Sequence, residues 1–128
     1  MIVVDTCAVV DALILDDAAE LRTVMADEDL HAPVLLDIEF VSALRGMVLR
    51  GRLGVDRARD ALTDFEDLPV TRWPAGDGVR RRVLHLRDVA SAYDAAYVVL
   101  AEALDCPLLT RDRRLARSAG HLVRITVR

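Results

Sequence analysis

Apolar and polar positions change period several times along the chain, and the changes mark the elements. Ile2 to Val4 is an uninterrupted apolar run, the pattern of a short strand buried on both faces. It stops at Asp5, after which Val9, Val10, Leu13 and Ile14 recur at helical spacing, and a second helix is predicted over Ala18 to Met25. Pro33 suits the first turn of a long helix, where its missing N–H has no intrahelical partner anyway. That helix should run to Leu49 and stop in Arg50-Gly51-Arg52, with Gly51 as the terminal residue.

Further along, Asp56 to Asp67 is predicted as a helix, Val70 to Arg72 as a strand and Asp77 to Leu86 as a helix. Ser91 to Leu104 is strongly helical, with Tyr93, Ala96, Tyr97, Leu100 and Leu104 on one stripe. Pro107 to Thr110 reads as a strand, Asp112 to Ala119 as a short helix and Leu122 to Val127 as a last strand. Short apolar strands alternating with helices indicate an α/β layered fold on a mainly parallel sheet. No linker, repeat or low-complexity segment interrupts the 128 residues, so one domain spanning 1–128 is expected.

Composition narrows the chemistry. Hydrophobic residues make up 53% and charged residues 30%, a globular balance. Two Tyr, two Phe and one Trp are too few for an RNA reader built on stacked bases. A net charge of −4 leaves no global basic footprint, so nucleic-acid contact must come from local patches. All 17 basic residues are Arg, which excludes any mechanism that needs a lysine and suits bidentate phosphate contact. Cys7 and Cys106 are isolated thiols without metal-ligand spacing, as expected of buried cysteines in a reducing cytosol. The start of the chain lacks the basic region of a signal peptide, and no apolar run approaches the roughly 18 residues of a membrane span. A cytoplasmic, soluble protein is expected.

Parallel sheets place their sites at the carboxyl ends of the strands. Asp5 and Asp112 fall there, while Glu39 lies mid-helix and Asp94 starts the helix after Ser91. Each has a purely structural reading. Asp5 and Asp112 could cap the helices that follow them, and Ser-Ala-Tyr-Asp resembles a capping box. Glu39 is harder to treat as a solvated residue. Ser42, Ala43, Gly46 and Arg50 lie within about 60° of it around the helix, and small neighbours leave room for a metal, a phosphate or a backbone. Val34, Ile38, Val41, Leu44 and Val48 form a separate, apolar side. Four carboxylates in one cleft would repel each other unless a cation sat among them, and oxygen ligands favour Mg²⁺ or Mn²⁺ over Zn²⁺. Thr6 and Thr110 stand beside the acids and could orient a water or a carboxylate. Arg111, Arg113, Arg114 and Arg117 surround Asp112, and Arg50 shares the Glu39 face, so these are the candidate substrate contacts. Arg80-Arg81-Arg82 points around its helix and reads as a solvated surface.

Asp5 in IVVDTCAVVDAL, Glu39 in LLDIEFVSALR, Asp94 in SAYDAAYVVLAEAL and Asp112 in PLLTRDRRLA together resemble the PIN-domain ribonucleases, more narrowly the VapC-type toxins of toxin–antitoxin pairs. The resemblance spans essentially the whole chain, with Cys7 standing where many relatives carry Asn or Ser. It implies a three-layer sandwich with a five-stranded parallel sheet flanked by helices. It also implies an endoribonuclease using Mg²⁺ or Mn²⁺, with Asp5, Glu39, Asp94 and Asp112 as metal ligands. A homodimer and a small antitoxin partner that occludes the acidic cleft are implied as well.

Two other classes compete. A phosphoryl-accepting α/β domain also carries an Asp after its first strand, but such domains lean on a lysine and this chain has none. A metal-stabilised interaction module would bind a basic partner without turnover.

Overall fold

A computed structural model describes residues 1–128. Five strands, β1 (Ile2–Val4), β2 (Leu30–Pro33), β3 (Val70–Trp73), β4 (Leu108–Thr110) and β5 (Ile125–Val127), alternate with helices. The helices are α1 (Thr6–Ile14), α2 (Ala19–Asp27), α3 (Leu35–Leu49), α4 (Val55–Asp67), α5 (Asp77–His85), α6 (Ala92–Leu104) and α7 (Arg113–Ala119). The strands form one sheet in the order β3-β2-β1-β4-β5, and every pairing is parallel. The chain builds outward from β1 to β3, then returns to lay β4 along the other side of β1. Strand order therefore reverses between β1 and β4, and the crevice at their carboxyl ends is where such sheets bind ligands.

Strand β2 is where the expected elements and the structure part most. Pro33 closes a strand instead of opening a helix, and α3 begins at Leu35. The strand is only four residues long and polar His31 interrupts its apolar run, so no local pattern marks it. Its extended form comes from pairing with β1 on one side (Ile2 with Leu30) and β3 on the other (Pro33 with Trp73). The last strand is also shorter than expected, Ile125–Val127. Gly51, at φ 71°, takes the left-handed conformation expected of the residue that ends α3.

The inward faces of two helices also differ. In α3, Leu36, Phe40 and Leu44 are buried, while Ile38 and Val41 are 71% and 44% exposed, and Val34, just before the helix, is 48% exposed. This helix is apolar nearly all round, and its orientation is set by Phe40, which stacks on Phe65 of α4 at 4.2 Å. In α6 the buried residues are Ala95 and Tyr97 to Ala101, and Tyr93 at the head of the expected stripe points outward. One cluster of 30 buried residues forms the core around the sheet. Arg82 is not a free surface charge. It makes a bidentate pair with Glu102 of α6 at 2.8 and 2.9 Å, tying α5 to α6. No helix is long and apolar enough to cross a membrane.

Candidate active site

The cleft starts from the first strand. Parallel pairing with β2 and β4 buries β1 completely, so the chain turns into α1 at Asp5, which is 6% exposed. Asp5 is the N-cap of α1: its Oδ1 accepts the Ala8 N–H at 2.9 Å and the Cys7 thiol at 3.0 Å. Its Oδ2 accepts the Thr110 hydroxyl from β4. Burial pushes the Asp5 carboxyl above its ordinary range, and these three donors oppose that rise. Capping and cleft-lining are thus two uses of one carboxylate.

Thr110 also accepts the Asp112 N–H at 2.9 Å, so one hydroxyl links the ends of β1 and β4. Asp112 caps α7 in turn, with Oδ1 accepting the N–H groups of Arg114 at 2.9 Å and Leu115 at 3.2 Å. Asp94 enters from the first turn of α6, where the Ser91 hydroxyl accepts its N–H at 3.2 Å. Its carboxyl is pushed up by partial burial first and then by the charges of Asp112 and Glu39. Glu39 comes from the middle of α3. Its Oε1 accepts the Tyr97 hydroxyl at 2.7 Å and the Thr6 hydroxyl at 3.0 Å, and those hydroxyls lie 2.8 Å apart.

Asp5, Glu39, Asp94 and Asp112 therefore line one open cavity of about 550 Å³, together with Thr6, Cys7, Arg50 and Arg111. Arg111 pairs with Asp11 at 2.8 Å. Arg50 folds back over Gly46, where a Cβ would stand 2.9 Å from its Nη1. Arg113 and Arg114 project from α7 outside the cavity wall, with Arg114 3.9 Å from Asp112 and largely in solvent. Thr110 lies beneath the wall, fully buried.

Two cavity residues escaped the sequence reading. Asp11 stands one turn after Cys7 on α1, and Tyr97 stands three residues after Asp94 on α6, both spacings that share a helix face. Tyr97 was legible as a core aromatic, but nothing local pointed its hydroxyl at Glu39. Cys7, expected to be an isolated buried thiol, is half-buried and donates to Asp5. Its thiol is pushed up to about 12, by burial first and then by the Asp5 charge, so it is protonated and a poor nucleophile.

The side chains as placed bring no three His, Cys, Asp or Glu residues together closely enough to hold a metal ion jointly. The donor set still fits a hard cation: every acid presents oxygen, and the mutual repulsion that raises Asp94 is what a bound cation relieves.

Comparison with known proteins places this architecture. The PIN domain matches residues 2–120, and the chain belongs to the PIN-domain family. It is 46% identical over 127 residues to VapC ribonuclease Mb0985 of Mycobacterium bovis, covering 99% of this chain and 98% of the relative. It is also 38% identical over 122 residues to ribonuclease VapC12 of Mycobacterium tuberculosis, covering 94% of each. Among solved structures, PAE2754 from Pyrobaculum aerophilum superposes with TM-score 0.73 at 23% identity, over 97% of this chain and 87% of that one. VapBC2 from Rickettsia felis, bound to a DNA fragment from its promoter, superposes with TM-score 0.71 at 13% identity, over 99% and 98%.

Proposed function

We propose that the chain is a metal-dependent endoribonuclease, the toxin of a toxin–antitoxin pair, acting as a single PIN domain. The observation that carries the chemistry is the convergence of Asp5, Glu39, Asp94 and Asp112, from four separate elements, on one cavity of about 550 Å³. The near full-length identity to VapC ribonucleases supports RNA as the substrate and an antitoxin as the partner.

A Mg²⁺ or Mn²⁺ ion held by these four acids would lower the pKa of a bound water and offset charge developing on the phosphate. The protein's own groups do the positioning. Asp5 is held by three donors and serves as a fixed negative wall. Asp94 carries no comparable set of donors and, with Asp112, can accept a hydrogen bond from the attacking water. Thr6 and Thr110 hold Glu39 and Asp5 in place. Arg50 and Arg111, at the cavity edge, suit the non-bridging oxygens of the scissile and neighbouring phosphates. In-line attack leaves a 5′-phosphate and a 3′-hydroxyl, with no part for the 2′-hydroxyl.

An antitoxin and a second copy of the chain both need apolar surface. Val34, Ile38 and Tyr93 are exposed, and Val34 and Tyr93 border an apolar cavity of about 340 Å³ beside Trp73. This surface supports a homodimer and a protein partner.

The experiment is cleavage of RNA by the purified protein with and without Mg²⁺ or Mn²⁺, alongside Asp5→Asn and Asp94→Asn. Metal-dependent cleavage that both variants lose is expected. Metal-independent cleavage, or cleavage undiminished in both variants, overturns the reading.

A further inference from the structure

The three oxygens of Thr6, Tyr97 and Glu39 form a closed triangle that joins α1, α6 and α3. Its edges are 2.7 Å (Tyr97 to Glu39), 2.8 Å (Thr6 to Tyr97) and 3.0 Å (Thr6 to Glu39). Three edges share only two hydroxyl protons, so they cannot all be hydrogen bonds at once. The phenol is the more acidic donor and makes the shortest contact to the only anion, so its proton goes to Glu39. Thr6 then donates either to the same carboxylate oxygen or into the phenol oxygen, and the second choice polarises the Tyr97 hydroxyl further.

This arrangement does more than satisfy a buried hydroxyl. Tyr97 is 2% exposed and its ring belongs to the core, where a backbone carbonyl would satisfy the phenol equally well. Its partner is instead a cleft carboxylate, and both hydroxyls fall on Oε1, leaving Oε2 free of protein hydrogen bonds.

We propose that Tyr97 is a positioning residue for Glu39: its hydroxyl fixes the carboxylate rotamer and leaves one oxygen, Oε2, for the divalent cation. The inference rests on the metal-dependent reading above and adds to it a residue that touches neither metal nor substrate. Groups that orient metal-ligating carboxylates commonly contribute about 10- to 100-fold in metal affinity or activity.

Mn²⁺ binding, measured by calorimetry on the purified protein without RNA, tests this separately from turnover. The set is wild type, Tyr97→Phe, Glu39→Ala and the double variant. Tyr97→Phe should bind Mn²⁺ about 10-fold more weakly, yet change affinity less than about 2-fold when added to Glu39→Ala, which leaves the phenol no side-chain oxygen to hold. Unchanged affinity in Tyr97→Phe overturns the proposal while leaving the metal reading intact. An equal loss in both backgrounds also overturns it, because a general packing role does not depend on Glu39. Failure of the wild type to bind Mn²⁺ overturns both. A second measurement needs no change at Tyr97. Tyr93→Phe leaves Tyr97 as the one tyrosine of the original two, and Mn²⁺ should then perturb its ultraviolet absorption with the calorimetric affinity. No perturbation on saturation overturns the proposal.

Discussion

Thr110 donates its hydroxyl to Asp5, across from the end of β4 to the end of β1, and does so at a site with no solvent exposure. The same oxygen accepts the Asp112 N–H, so one side chain holds two of the candidate acids in register. Thr110→Val keeps the shape but leaves a buried carboxylate oxygen without its donor. Unfolding by denaturant should show a loss of about 1–3 kcal/mol, and Thr110→Ser should recover most of it. Losing a donor that holds the Asp5 carboxyl down should also shift the acid limb of RNA cleavage to higher pH in Thr110→Val.

Gly46 and Arg50 separate stability from substrate contact. Ala at position 46 puts a Cβ 2.9 Å from the present Arg50 Nη1, and the guanidinium, being the far end of a flexible chain, swings away. The helix itself gains about 1 kcal/mol from replacing a mid-helix glycine. Gly46→Ala should therefore melt higher yet show a several-fold higher KM for RNA, and Arg50→Ala should raise KM without the gain in Tm. A Gly46→Ala protein with unchanged KM would show that Arg50 makes no phosphate contact.

Burial raises the carboxyls of Asp5, Asp11 and Asp94 above their ordinary value of 3.8. Their contribution to stability is fully present below that value, where folded and unfolded chains are both protonated. It is lost as pH rises through the raised values, because the folded cleft must then hold charges that the unfolded chain carries more easily. Glu102, held low by Arg82, acts in the opposite sense, but it is partly exposed and the effect is small. Mn²⁺ should therefore raise Tm more at about pH 7 than at about pH 5, where protonation competes for the same oxygens. Thermal melts with Mn²⁺ and with EDTA at both pH values check this.

Trp73, the single tryptophan, reports on β2. Its indole N–H donates to His31 Nδ1 at 2.9 Å, which places the ring proton of neutral His31 on Nε2, facing Asp29 at 2.9 Å. His31→Leu should cost about 1 kcal/mol, because the half-exposed indole can turn to water instead. Trp emission should shift to longer wavelength, while RNA cleavage stays near the wild-type rate, since neither residue lines the acidic cavity.

Much of this protein follows from local pattern. The alternation of short apolar strands with amphipathic helices, the cap positions of Asp5 and Asp112, and the small-residue neighbourhood of Glu39 are properties of residues within a turn or two of each other. They suffice for the layered parallel fold and for four acids with a plausible route to one end of the sheet. Tertiary structure decided what depends on distant partners. Leu30 to Pro33 is extended only because β1 and β3 flank it, and no pattern in four residues with a central histidine encodes that. Ile38 and Val41 of the apolar side of α3 face solvent while Leu44 is buried, because Phe40 stacks on Phe65, a choice made by packing between helices. The cleft followed the same logic. Thr110 meets Asp5 across 105 residues and Tyr97 meets Glu39 across 58, so the hydrogen bonds that orient the acids exist only once the strand order brings their elements together.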